Sequence, residues 1–99
     1  MLRHIVAWNF KDGFTEEENR KTTEKVKSEL DALVELIPEI IELRVDIDLL
    51  KSSNKDIMLD SKFENEETLA AYKIHPAHVK VSELFSSILV DRVALDFYE

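Results

Sequence analysis

A few side chains stand out as candidates for polar chemistry in this sequence. Tyr72, His75 and His78 lie close together around Pro76, and His4 lies in the middle of an apolar N-terminal stretch. A neutral imidazole can take a proton near pH 7, and a phenol can donate a hydrogen bond to a carbonyl or enolate oxygen. A histidine and a tyrosine facing one gap would therefore suit proton abstraction next to a carbonyl, as in an aldol cyclisation or an isomerisation.

The proline decides whether these side chains can meet. In an unbroken helix Tyr72 and His78 would lie about 120° apart around the axis. A break at Pro76 changes that geometry and lets both rings turn into the same gap between helix and sheet. Structural roles are the alternative: His4 as a hydrogen-bonded core residue, His75 as a cap or turn residue, and Tyr72 as a core residue with its hydroxyl at the edge.

Several other chemistries are disfavoured by residue content. A metal site from His75 and His78 has no obvious third ligand nearby, and we expect no metal. The chain has no cysteine, which excludes disulfides and thiolate ligands. It has one glycine, too few for a phosphate-binding loop or a dinucleotide fingerprint. We therefore expect no cofactor.

Length and charge limit the class of protein. The 99 residues fit a single domain over positions 1–99, and 44% apolar with 34% charged residues is typical of a folded chain. The formal net charge of −8 disfavours binding to nucleic acid or to an anionic membrane surface. No apolar run is long enough for a transmembrane span, and the N-terminus lacks the apolar core of a signal peptide. We expect a cytoplasmic protein.

Hydrophobic periodicity predicts the elements that must position these side chains. Alternating patterns predict strands at Leu2–Phe10, at Ile41–Leu49, around Ile57, Leu59 and Phe63, and at Arg92–Tyr98. A capping box begins a first helix at Thr15, and that helix carries a stripe through Val26 and Leu30 until Pro38 ends it. A second helix is capped by Asn65 and interrupted at Pro76. It continues with an apolar set, namely Val79, Leu84, Phe85 and Ile88.

The order β-α-β-β-α-β predicts an α+β, ferredoxin-like fold, with both helices on one face of a four-stranded antiparallel sheet. On the helix face we expect His4 and, from the last strand, Val93, Leu95 and Phe97. On the opposite face we expect an apolar centre formed by Ile5, Ala7, Met58, Ala94 and Tyr98. Around it we expect a rim of charged residues, namely Arg3, Arg44, Asp46, Asp48, Asp60, Lys62, Arg92 and Asp96. Such a face is typical of an interface and predicts a homodimer through the sheets, although a solvated face with scattered apolar residues is the alternative.

Several segments together resemble one known family. They are Arg3-His4-Ile5-Val6, Phe10-Lys11-Asp12, Tyr72 with His75-Pro76-Ala77-His78, and Asp91-Arg92 at the start of the last strand. The chain resembles the stress-responsive dimeric α/β-barrel family over essentially its whole length. The resemblance implies that protomers dimerise through their sheets into a barrel and that each holds a small apolar pocket between sheet and helices. We expect that pocket to be lined by His4, Val6, Trp8, Val26 and Leu59.

The resemblance implies less about activity. Most members have no assigned activity, and a few plant relatives are cyclases that close a linear polyketide by an aldol step without a cofactor. In those relatives a tyrosine and a histidine matching Tyr72 and His78 assist catalysis. The first helix departs from them, with Thr22, Thr23 and Val26 where those cyclases have aromatic residues.

Three functions stay open at this point. One is an enzyme or binder acting on a small carbonyl or phenolic compound, with catalytic residues His78 and Tyr72. A second is a non-catalytic dimeric module whose histidines stabilise the chain reversal at Pro76. A third, a cofactor-independent monooxygenase of the wider superfamily, is favoured only by Trp8 beside His4.

Overall fold

The computed structural model describes all residues, 1–99, as one layer of helices on one sheet. In chain order the elements are β1 (Leu2–Phe10), α1 (Glu16–Asp31), α2 (Leu33–Leu36), β2 (Glu42–Asp46), β3 (Ile57–Phe63), α3 (Glu66–Ile74), α4 (Pro76–Phe85) and β4 (Leu89–Tyr98). No helix is both long and apolar enough to cross a membrane.

The sheet has the strand order β2-β3-β1-β4, and all neighbouring strands are antiparallel. The predicted ferredoxin-like α+β fold is thus confirmed, with β1 and β3 in the centre. One face of these two strands meets the helices and supplies much of the core, including Leu2, Ile57, Leu59 and Phe63. Burial of this apolar surface is the main force that holds the helices on the sheet.

Local sequence signals begin the helices where predicted. Thr15 and Glu18 form a reciprocal capping box at α1, and Asn65 accepts a hydrogen bond from the Thr68 N–H at the start of α3. The chain's one glycine, Gly13, lies in the turn after β1 with φ +105°, a backbone conformation that residues with a Cβ rarely adopt.

Some element bounds differ from the predicted ones. The first helix has a break at Ala32, where the Glu35 N–H bonds the carbonyl three residues back, as in a tighter helical turn. The second strand ends at Asp46, three residues before the predicted Leu49. Asp46 pairs with Met58, the second residue of β3, and the pairing between the two strands ends there. The last strand begins at Leu89, three residues before the predicted Arg92.

The predicted facing of the last strand was wrong. In the β1–β4 ladder Ile5 lies opposite Leu95, and residues directly opposite each other share a face. Since Ile5 is on the face away from the helices, Leu95 and its alternate neighbours Val93 and Phe97 lie there too, 57%, 44% and 45% exposed. Ala94 and Tyr98 lie on the helix face instead. The prediction assumed that the more apolar side of every strand faces the helices, and on this edge strand it does not.

The inward side of α4 also differs from the predicted apolar set. Val81 and Phe85 are buried, whereas Val79 and Leu84 are 39% and 44% exposed. Pro76 begins a new helix, and residues at four-residue steps from Ala77 onward share its inner side. As a result, α4 turns Val81 and Phe85 toward the sheet and the space beneath it.

Candidate functional site

A pocket of about 730 Å³ lies between the sheet and the helices. The following residues predicted for the site line it: His4, Val6, Trp8, Leu59, Tyr72 and His78. Val26 does not, because it is completely buried in the core on α1, and Leu30 one turn later reaches the pocket in its place. The sheet, α3 and α4 therefore bring the candidate catalytic and lining side chains together around one space.

His78 has one nitrogen held by the backbone and one left free. Its Nδ1 atom lies 3.0 Å from the Lys73 carbonyl oxygen. A carbonyl oxygen only accepts hydrogen bonds, so Nδ1 carries the proton and the neutral ring keeps its lone pair on Nε2. Burial lowers the pKa of His78, which favours this neutral form. The free Nε2 is thus prepared to accept a proton.

His4 is held in the same tautomer by a carboxylate. It is 3% exposed, and its Nδ1 is hydrogen-bonded to Asp96 Oδ1 on the neighbouring strand β4. Burial lowers the pKa of His4, and the opposing influence of Asp96 does not overcome it. The ring is therefore neutral near pH 7, with Nδ1–H donating to the carboxylate and Nε2 without a partner in the chain.

Tyr72 lies between the two histidines. Its ring centroid is 4.4 Å from that of His78 and 6.1 Å from that of His4, so the proline break has turned the rings together as predicted. Burial raises the pKa of Tyr72 to about 12, so its hydroxyl remains a hydrogen-bond donor throughout the physiological range. No buried polar side-chain atom is sealed from solvent without a partner. The unpartnered Tyr72 hydroxyl and the two free Nε2 atoms must therefore reach the pocket.

His75 has the predicted capping role and takes no part in the pocket. Its Nδ1 accepts a hydrogen bond from the Ala77 N–H at 3.1 Å, and Pro76 occupies the first position of α4. This arrangement satisfies one of the free N–H groups at the helix start. No group of three or more metal-ligating side chains is found anywhere in the chain.

Two charged residues of β4, at a bulge in the strand, lie at the pocket. The ladder pairs Ala7 with Val93 but Asn9 with Val90, so Asp91 and Arg92 both lie opposite Trp8. Asp91 has φ +55°, the left-handed conformation typical of the first position of one bulge type. Both bulge residues line the pocket. The prediction that Arg92 and Asp96 belong to the charged rim of the opposite face was wrong, because both share the helix side of β4 with Ala94.

Other residues complete the lining. They are Leu30, Lys73, Val81, Ser82, Phe85, Ser86, Leu89 and Val90. A four-residue spacing that starts at Ala77, the second residue of α4, indicates Val81 and Phe85 as residues on the inner side of the helix. Most of the lining is apolar, so an occupant would meet few polar groups beyond the two imidazoles, the phenol and the charges at the bulge and on Lys73.

Comparison with protein families gives one match over nearly the whole chain. The model of the family described as "Stress responsive A/B Barrel Domain" matches residues 2–99. A search of curated proteins found no match.

Solved structures with the same fold are numerous, and some are described as dimers. A dimeric protein of unknown function from Bacteroides fragilis is 24% identical, over 99% of this chain and 95% of that one, with a TM-score of 0.91. A dimeric ferredoxin-like protein of unknown function from Thermobifida fusca is 29% identical, over 99% and 90%, with a TM-score of 0.82. A hydroxynitrile lyase from Passiflora edulis is 17% identical, over 97% and 90%, with a TM-score of 0.78. At 24% and 17% identity the first and last of these show a shared fold alone.

Proposed function

Since this chain belongs to the stress-responsive A/B barrel domain family, whose solved relatives above include dimers of unknown function, we propose that it is a homodimer whose pocket binds a small carbonyl or phenolic compound and that His78 and Tyr72 act on it. One observation carries the proposal. Three polar atoms without partners in the chain, His4 Nε2, Tyr72 Oη and His78 Nε2, reach one largely apolar pocket.

The chemistry follows from the protonation states of the two catalytic residues. His78 Nε2 takes a proton from a carbon next to the ligand's carbonyl, and the electron pair of that C–H bond moves to give an enolate. The enolate oxygen accepts a hydrogen bond from the Tyr72 hydroxyl, which is worth more inside a pocket than in water. The Lys73 carbonyl then stabilises the protonated His78 ring through its Nδ1–H.

The proton can then return to carbon, or the enolate carbon can attack a second carbonyl of the same molecule. In that second case a C–C bond forms, the carbonyl π electrons move to its oxygen, and this oxygen takes the proton from His78. The first outcome is proton exchange or isomerisation, and the second is an aldol closure of the kind that polyketide cyclases perform. Neither route needs a redox partner, because no electrons leave the substrate. His4 lines the same space as a neutral ring held by Asp96, and it would contact the ligand without changing charge.

Proton exchange is the simplest test, because it does not require the natural substrate. We expect the protein to accelerate the loss of the α-proton NMR signals of 4-hydroxyphenylacetone in D₂O. Tyr72→Phe removes the donor to the enolate and should slow the catalysed exchange by about a hundredfold. His78→Gln removes the base and should slow it by about a hundredfold or more.

His75→Asn is the matched control. It removes a histidine two residues from the pocket face and keeps a side-chain acceptor for the cap of α4. This variant should exchange the probe as fast as the unaltered protein. Equal exchange rates in all four proteins would contradict the catalytic assignment of His78 and Tyr72.

A non-catalytic module remains the second candidate, because of one specific contact. The bond from His78 to the Lys73 carbonyl ties the start of α4 to the end of α3, as a purely structural histidine would. This alternative predicts that His78→Gln lowers the midpoint of thermal unfolding while no pocket ligand of the carbonyl or phenol class is found.

The open face of the sheet supports the proposed mode of dimerisation. It carries Ile5 on the central strand β1 and Leu95 and Phe97 on the neighbouring edge strand β4, and the latter two are exposed in a single protomer. Beside this apolar patch lies an ion pair of 2.6 Å between Arg3 and Asp60 on the two central strands, partly shielded from solvent. An apolar patch next to charged groups is common at protein interfaces. Two protomers joined through this face would form a closed barrel with the helices outside.

A further inference from the structure

Arg92 differs from every other arginine of the chain in its ionic contacts. Arg3, Arg20 and Arg44 each have a carboxylate oxygen within 4 Å. Arg92 has no such partner and makes no side-chain hydrogen bond, although the chain carries 21 acidic residues against 13 basic ones. A guanidinium left unpaired in so acidic a protein is available to an external anion.

The position of Arg92 directs that charge into the site. Arg92 alternates with Ala94 and Asp96 along β4, so it lies on the helix side of the sheet, where it lines the pocket. Burial is the largest influence on the pKa values of His4, Tyr72 and His78, and the charge of Arg92 is a further influence on all three. The guanidinium is therefore near enough to influence all three side chains electrostatically.

The other charges at the pocket do not cancel Arg92. Asp91 is its sequence neighbour, but the Asp91 carboxylate accepts a hydrogen bond from the Asn9 amide and lies beyond ion-pair distance of the guanidinium. Lys73 adds a second positive charge, whose nearest carboxylate oxygen, on Asp96, is 3.9 Å away. With neutral histidines, the charged groups of the lining are thus two cations and one anion.

We infer that the ligand of this pocket carries a carboxylate, held by Arg92, in addition to the carbonyl or phenol that faces Tyr72 and His78. A guanidinium presents two parallel N–H groups that match the two oxygens of a carboxylate, which a lysine cannot reproduce. The apolar lining, including Trp8 and Phe85, is suited to the ligand's hydrocarbon body. This inference rests on the proposed function, since it names the substrate class of the same pocket.

Two probes of the same shape separate this inference from the proposed function. They are 4-hydroxybenzoate and its neutral counterpart 4-hydroxybenzamide, titrated while the ring signals of His4 and His78 are followed by NMR. We expect the acid to bind at least about tenfold more tightly than the amide, as befits a hydrogen-bonded charge pair. Arg92→Gln should abolish that preference, and Arg92→Lys should restore it only in part.

Arg20→Gln is the control, because it removes the same charge from an exposed position on α1. It should leave the dissociation constants of both probes within about twofold of those of the unaltered protein, as expected for a distant charge screened by salt. Equal affinities for acid and amide would overturn the carboxylate inference while leaving the pocket function intact. An equal loss of affinity for the acid in both glutamine variants would overturn it as well. Failure of both probes to shift either ring would overturn the inference and the proposed function together.

Discussion

Replacement of Leu95 by glutamate should separate the proposed dimer into protomers. Leu95 lies on the open sheet face, on the edge strand β4 and opposite Ile5 of β1, and is 57% exposed in the protomer. Its side chain contacts no helix, so the substitution should leave the fold of the protomer intact. Exposed substitutions of this kind usually change unfolding free energy by about 0.5 kcal/mol or less.

The size of the effect follows from the exposed fraction. Full burial of a leucine side chain contributes about 1.5–3 kcal/mol. Covering the 57% that is exposed is therefore worth about 0.9–1.7 kcal/mol per protomer. A twofold interface contains the residue twice, which gives about 1.7–3.4 kcal/mol for the dimer. This corresponds to a dissociation constant raised by about 15- to 250-fold, and the new carboxylate would add to it.

Sedimentation velocity over a dilution series measures this directly. The unaltered chain should sediment as a dimer of 11.5 kDa protomers, and Leu95→Glu should shift the midpoint of dissociation to higher concentration. Leu84→Glu is the matched control, because Leu84 is 44% exposed on the outer side of α4 and the charge change is identical. A monomeric unaltered chain would refute the sheet-face dimer. So would a Leu95→Glu dimer as tight as that of the control.

Three further predictions concern pH and helix capping. The lowered pKa values of His4 and His78 mean that the unfolded chain binds more protons below about pH 6.5. The unfolding free energy should therefore fall as the pH drops from 7.5 to 5, and a flat urea-denaturation series would contradict this. Asp96→Asn removes an influence that raises the pKa of His4, so an NMR titration should show that pKa lower still; an unchanged titration would show that the contact is unimportant. Thr15→Ala should lower the unfolding free energy by about 1 kcal/mol through loss of the α1 cap, and Thr22→Ala should lower it much less; equal losses in urea denaturation would contradict the capping role of Thr15.

Features determined by nearby residues were predicted well from the sequence. The capping box at Thr15, the cap at Asn65 and the helix restart at Pro76 each depend on contacts within a few positions. The alternation in the first strand placed His4 on the helix face, where it is buried. The meeting of Tyr72 and His78 also followed from a local cause, the proline between them.

The strand order was predicted, but the register between distant strands was not. The facing of β4 depends on its register with β1, and its pattern alone indicates two faces without saying which one meets the helices. The error assigned Ala94 and Tyr98 to the open face in place of Leu95 and Phe97, and it placed Leu95 in the core. The bulge at Asp91 has the same origin, because an extra residue in one strand is defined only by its partner. Arg92 was missed as a pocket residue because the wrong facing of β4 placed it on the open side with Ala94.

The edge strand β4 has separate tasks on its two sides. Its helix side supplies Asp96, which holds His4, and Arg92 at the pocket, while its open side presents Leu95 and Phe97. A dimer through the open face would pack against β4 on the side opposite the pocket and reduce the mobility of the residues that line it. Association and ligand binding would then be thermodynamically linked, each strengthening the other by the same factor. The affinity of the pocket would therefore depend on protein concentration, and a saturating ligand would stabilise the dimer.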